Sequence, residues 1–169
     1  GYATQSFQLL FAQRLGLPLE AVDARLPMLM IGGTAGLMNP HIALFIKRPG
    51  RRVPGGPPRL AIGVASTRVL RPEEMGTRLQ VELVADAVRQ AMADAGISRA
   101  EDVTCVELKC PQSVLAATSP AHSRGASALG AAVALGEVPL DAISDAAITQ
   151  RSDLYSQRAS ASSGNEQVA

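Results

Sequence analysis

The feature that most restricts the fold of this chain is an internal echo. Gly1-Tyr-Ala-Thr-Gln-Ser, a helical stretch and Leu15-Gly-Leu-Pro-Leu-Glu-Ala-Val22 resemble Arg124-Gly-Ala-Ser-Ala-Leu, a second helical stretch and Leu135-Gly-Glu-Val-Pro-Leu-Asp-Ala-Ile143. Each copy runs on to a glycine turn, Ile31-Gly-Gly-Thr-Ala in the first and Ser162-Ser-Gly-Asn-Glu in the second. A period above about one hundred residues is too long for a solenoid repeat and points to duplicated domains around a shared centre. The sequence begins at the helix of one copy and stops where the next strand is expected, so it reads as cut at both ends.

Periodicity fills in the elements. Phe7, Leu10, Phe11 and Leu15 recur at helical spacing over Thr4 to Leu15, with Gly16 as the stop and Pro18 opening a short helix, Leu19 to Ala24. Leu26 to Met30 and His41 to Ile46 read as strands, and the Pro-, Gly- and Arg-rich run from Arg48 to Arg59 reads as a surface loop. A strand follows over Arg59 to Ser66. Next comes a helix over Glu73 to Ala95, with Leu79, Leu83, Val84, Val88 and Met92 on one stripe and Gly96 after it. Val103 to Lys109 reads as a strand ended by Pro111. Arg124 to Leu135 is a small-residue helix stopped by Gly136, Pro139 to Ile143 a short one, and Ala159 to Glu166 a small-residue turn. Strands alternating with helices make this an α/β chain.

Composition narrows the function. The chain is 47% hydrophobic but 3% aromatic, so its core is aliphatic. A net charge of +1 gives no electrostatic case for nucleic acid or an anionic membrane. Leu26 to Ile46 lacks formal charge, but its three glycines and the Asn39-Pro40-His41 triplet favour strand–turn–strand over a membrane span. Cys105 and Cys110 form no disulfide framework, no Cys/His spacing suits zinc, and no leader is read, which together fit a reducing cytoplasm. Gly32-Gly33-Thr34-Ala35-Gly36 has neither the Walker nor the dinucleotide spacing.

Chemistry concentrates at two places. Of sixteen basic residues only Lys47 and Lys109 are lysines, and Lys109 ends the apolar strand. A lysine held against a core can lose its proton near neutral pH and act as a base, which arginine cannot do. Alternation puts Val103, Cys105, Glu107 and Lys109 on one face. A salt-bridged strand-edge lysine is the plainer reading, and Glu107 would hold the ammonium charged. Ser162 lies in a glycine turn whose N–H groups can cradle an oxyanion, although such runs are commonly loops. Lys109 within roughly 3 Å of Ser162 would make a nucleophile and its base. Arg124, read as opening its helix, suits a polar ligand shared with the helix N-terminus. Gly125-Ala-Ser127-Ala-Leu129 misses the nucleophile-elbow pattern at Leu129. Cys110 with His122 or His41 is a minority thiol alternative.

Taken together, Gly32-Gly-Thr-Ala-Gly-Leu-Met-Asn-Pro-His41, Phe45-Ile-Lys-Arg-Pro49, Arg71-Pro-Glu-Glu-Met-Gly76, Ala91-Met-Ala-Asp-Ala-Gly-Ile97, Lys109-Cys-Pro111, Ser123-Arg-Gly-Ala-Ser-Ala-Leu-Gly130 and Ser160-Ala-Ser-Ser-Gly164 resemble the cyanuric acid amidohydrolase/barbiturase family of ring-opening amidases. The resemblance implies three related domains placed pseudo-threefold around a central site, each giving a lysine, a serine and an arginine. It implies that residues 1–58 belong to the first domain and 59–169 to the second, with a C-terminal strand and the third domain outside this sequence. Lys109 and Ser162 then form a catalytic dyad, while Arg124, Ser163, Gly164, Ile31 and Gly32 contact substrate. No cofactor or metal is expected. The implied partners are a small cyclic amide or imide, the remaining domain segments or a second subunit, and further copies of the chain. Three departures stand out: Ile31 occupies a serine position, Ala35 an acidic one, and the Pro111–Ser123 connection is short. Ile31 and Ala35 favour a substrate less symmetric than cyanuric acid, with an apolar edge facing Ile31. These two also suit the alternative of a non-catalytic member that binds a small cyclic ligand or completes an oligomer.

Overall fold

The computed structural model describes residues 2–28, 42–47, 60–113 and 115–163. Helices α1 (Tyr2–Leu15) and α2 (Leu19–Arg25) lie within two residues of the expected bounds. Between them Gly16 takes a φ of 63°, a left-handed value that a side chain disfavours. The same order recurs after α4 (Pro120–Ala134), where Gly136 has a φ of 69° and Pro139 precedes a 3-10 turn, Leu140–Ala142. The helix–glycine–proline part of the echo read in the sequence is therefore an echo of backbone structure.

Helix α3 (Arg78–Ala95) is shorter than read. Pro72–Glu74 is a separate 3-10 turn, and the chain breaks at Gly76, whose φ is 74°. The buried stripe of α3 is Gln80, Val81, Val84, Ala85 and Val88, whereas Leu79 is exposed. Packing against α4 sets this rotation. A Cβ on Gly130 would stand 2.7 Å from Val84 Cβ and 2.9 Å from the Val81 carbonyl oxygen, so glycine permits the close approach. Val81, Ala85, Ala126, Leu129, Ala132, Val133, Val138, Ile143 and Ile148 form the resulting aliphatic core. Such small side chains keep the two helices near and their contacts dense. Behind α4 lie the four-residue helix α5 (Ala147–Gln150) and the 3-10 turn Ser152–Leu154. There the Tyr155 hydroxyl donates to the Ile148 carbonyl.

Strands β1 (Val106–Cys110) and β2 (Ala159–Ser163) pair in parallel, with α4 in the crossover between them. Parallel neighbours require such a crossover, which brings the start of α4 back beside the end of β1. The segment read as a small-residue turn is thus a strand as far as Ser163. Its Ala-Ser-Ala-Ser-Ser composition has little intrinsic strand preference, and pairing with β1 imposes the conformation. Two expected strands, over His41 to Ile46 and Arg59 to Ser66, show no regular structure in their described residues. Residues 60–71 and 42–47 carry no regular structure and are tied instead to the end of α3. Val64 N–H donates to Asp94 at 3.1 Å, and Lys47 forms an ion pair with the same carboxylate at 2.8 Å. Of the strand expected over 26–30, residues 26–28 are irregular and the rest lies outside the described residues.

Among the described residues Glu74 is the buried acid, only 5% exposed. It accepts from the Arg68 guanidinium at 2.7 and 3.0 Å, from the Arg71 backbone N–H at 2.9 Å, and from the Arg71 side chain at 2.9 Å. The Arg68 bonds above all, then the Arg71 N–H, lower its carboxyl from 4.5 to about 2. A depressed folded-state value means that the bonds of the carboxylate stabilise the protein fully above the unfolded value. That contribution fades as pH falls from 4.5 toward 2. Thermal melts across that window should lose stability steadily, and Glu74→Gln should flatten that part of the profile. An unchanged acid profile in the variant would show that Glu74 is not the group responsible.

Candidate active site at the end of β1

The pleat of β1 sorts its residues. Cys110 is buried, with its thiol against Ser127 of α4, so the Val106, Leu108 and Cys110 side of the strand is the one covered by that helix. Glu107 and Lys109 alternate to the opposite side. The register pairs Val106 with Ala159, Glu107 with Ser160, Leu108 with Ala161, Lys109 with Ser162 and Cys110 with Ser163. Register partners in a parallel pair share a face and lie about 4.8 Å apart between strands. Lys109 and Ser162 thus stand side by side on the face opposite α4, both half-buried, with Glu107 and Ser160 next along it.

Helix α4 brings Arg124 to the same end of the sheet, with a correction to the sequence reading. The helix opens at Pro120, not at Arg124, so the guanidinium sits in its second turn rather than at its N-terminus. The missed signal was Ser119-Pro120, a cap-type residue followed by proline at the first helical position. Arg124 is exposed. Its charge and that of Lys109 both act on the Cys110 thiol and favour its ionised form. Burial is the larger influence and pushes the Cys110 thiol up. That opposes the thiol alternative. His122 Nδ1 is engaged with Ser119 Oγ at 3.0 Å. Ile31, Gly32, Gly164 and His41 lie outside the described residues.

A buried polar chain that sequence reasoning missed holds this end together. Gln80 is fully buried, and its Oε1 accepts from Gly76 N–H at 2.7 Å. Its Nε2 donates to the Ser123 carbonyl at 2.9 Å, Ser123 Oγ at 3.1 Å and Ser127 Oγ at 2.9 Å. Ser123 Oγ in turn donates to the Pro111 carbonyl at 2.7 Å, directly after β1. The starts of α3 and α4 and the end of the Lys109 strand are thereby joined. Among the described residues no cluster of three or more His, Cys, Asp or Glu could hold a metal ion, and no helix is long and apolar enough to cross a membrane.

Comparison with known proteins decides the family. The family model described as amidohydrolase ring-opening protein matches residues 1–121 and 113–169. The chain belongs to this ring-opening amidohydrolase family. The two matched spans overlap at 113–121, within the Pro111–Ser123 connection read as short. A cyanuric acid amidohydrolase of Bradyrhizobium diazoefficiens is 45% identical over 184 aligned positions, covering 98% of this chain and 50% of that protein. A cyclic amide hydrolase of a Rhodococcus species is 41% identical over 182 positions, covering 99% and 52%. A solved cyanuric acid hydrolase, described as arising by structural concatenation, superposes with a TM-score of 0.80 at 34% identity, covering 96% of this chain and 50% of that one. The chain therefore spans about half the length of the relatives it matches. Its α/β architecture is that of the family.

Proposed function

We propose that this chain supplies one lysine–serine pair of a hydrolase that opens the ring of a cyclic amide or imide of cyanurate or barbiturate type. The observation that carries the reading is the register of Lys109 opposite Ser162 on the face of the sheet away from α4. In its neutral form the Lys109 amine takes the Ser162 hydroxyl proton as Oγ bonds to a ring carbonyl carbon. Arg124 and the Ser163 N–H hold carbonyl oxygens, including the one that becomes negative in the tetrahedral adduct. Collapse of the adduct breaks the ring C–N bond, and the Lys109 ammonium returns the proton to the leaving nitrogen. Water, deprotonated by the same amine, then attacks the ester on Ser162, releases the opened acid and restores the hydroxyl.

Ile31, Gly32 and Gly164 complete the pocket in this reading, with Ile31 against an apolar edge of a less symmetric substrate. Residues 1–58 and 59–169 represent two related domains. Further domain segments or a second subunit close the cavity, and copies of the chain associate. The relatives named above support the ring-opening class, since those proteins are cyanuric acid or cyclic amide hydrolases.

The test is a trapped intermediate. The purified protein is mixed with barbiturate, cyanurate or a simple cyclic imide, quenched in acid and mapped by peptide mass. An adduct of substrate mass on Ser162, absent from Ser162→Ala, is the expected result. Turnover with the adduct on another residue would sink the dyad. Saturable binding without turnover for every compound would instead favour the non-catalytic alternative suggested by Ile31 and Ala35.

A further inference from the structure

Strand β2 presents two serines, Ser160 and Ser162, on the face of Lys109, opposite Glu107 and Lys109 respectively. The other side of β2 carries Ala159 and Ala161. An alternation of alanine and serine gives no bulky side chain to lock the pairing, and strands of that kind are prone to slip. Sliding β2 forward by two residues, about 6.6 Å, preserves the face and sets Ser160 opposite Lys109. Something other than side-chain packing within the sheet must select the serine.

Arg158, the residue before β2, is held from every side. Its carbonyl accepts from Val106 N–H at 2.8 Å, and its N–H donates to Oγ of the buried Ser156 at 3.2 Å. Its guanidinium donates to the Ala100 carbonyl at 2.6 Å and the Val103 carbonyl at 3.3 Å, both on the approach to β1. It also forms an ion pair with Glu137 at 2.8 Å, just beyond the end of α4, where both side chains are about 30% exposed or less. Shifting β2 by two residues would pull this head group from all three partners together.

We propose that Arg158 is a positioning residue that fixes the register of β2 and so determines that Ser162, not Ser160, meets Lys109. The proposal rests on the dyad reading above for its catalytic consequence, but the register itself is measurable without catalysis. Arg158→Met keeps the apolar stem and removes the clamp; Arg158→Lys keeps a charge that reaches one partner at a time.

The experiment combines cross-strand nuclear Overhauser contacts on the isotope-labelled 169-residue chain with labelling by a fluorophosphonate, which phosphonylates an activated serine and releases fluoride. Wild type should show Lys109–Ser162 contacts and label on Ser162. In Arg158→Met a second set of contacts linking Lys109 with Ser160 should appear, and labelling of Ser162 should slow by about 100-fold, with a share of label moving to Ser160. Arg158→Lys should fall between the two, and it remains informative if the methionine variant does not fold. Folded variants with only the Lys109–Ser162 contacts and wild-type labelling of Ser162 would overturn the proposal. Wild-type contacts with no label on Ser162 would instead count against the dyad, while the register shift in the variants would still stand.

Discussion

Replacing Ser162 with alanine should lower kcat for ring opening by about 10⁴-fold or more and leave KM within a few-fold of wild type, because in the proposed dyad the hydroxyl forms a bond rather than merely holding substrate. Lys109→Ala should cost nearly as much, and Lys109→Arg should not rescue it, since a guanidinium cannot accept the proton. The double variant should be little worse than either single one. Groups that act as a unit fail together, so the two losses do not multiply. Losses that multiplied fully would mean that the residues act independently. A Ser162→Ala enzyme within ten-fold of wild type would remove the nucleophile from this mechanism altogether.

The second large effect concerns stability and comes from Gln80. Gln80→Leu fills nearly the same space but strands the Gly76 N–H and removes the donor shared by Ser123 and Ser127, all in the interior. A buried donor without a partner costs about 1–3 kcal/mol, and the lost bonds to serine add to that. The expected destabilisation is about 3 kcal/mol in urea unfolding, with the denaturant slope unchanged. Gln80→Glu retains an acceptor for Gly76 and should lose less at acid pH than at neutral pH, where a charge would be buried. Equal stability of Gln80→Leu and wild type would show that the network is not under the load described. The network also ends on the Pro111 carbonyl, so a looser Lys109 strand should accompany the loss.

The helices were the most readable part of the sequence because their stops are written in glycine and proline. Gly16, Gly96 and Gly136 take left-handed backbone values at the ends of α1, α3 and α4. Strand β1 was visible in Val106 and Leu108 bounded by Pro111. Strand β2 was not, since alanine and serine carry no strand signal without a partner to bond. The reverse error came from Leu60 to Val64 and Ile42 to Ile46, whose apolar residues suggest strands although the described segments carry no regular structure and their large side chains, the half-buried Ile62 apart, are exposed. At the site, the isolated Lys109 and the serine run were legible as residue types, but only the register brings them together. Gln80 and Arg158 left no trace, because a lone buried amide and an arginine read as ordinary surface polar groups until their partners are known.

The parallel pairing of β1 with β2 has a kinetic consequence. Each helix can form from neighbours in the chain within microseconds, whereas the two strands must find each other across about fifty intervening residues that include α4. Regain of activity on refolding should therefore trail the return of helical signal. On the proposed dyad, catalytic competence would report on the last long-range closure of the chain and not on its local order.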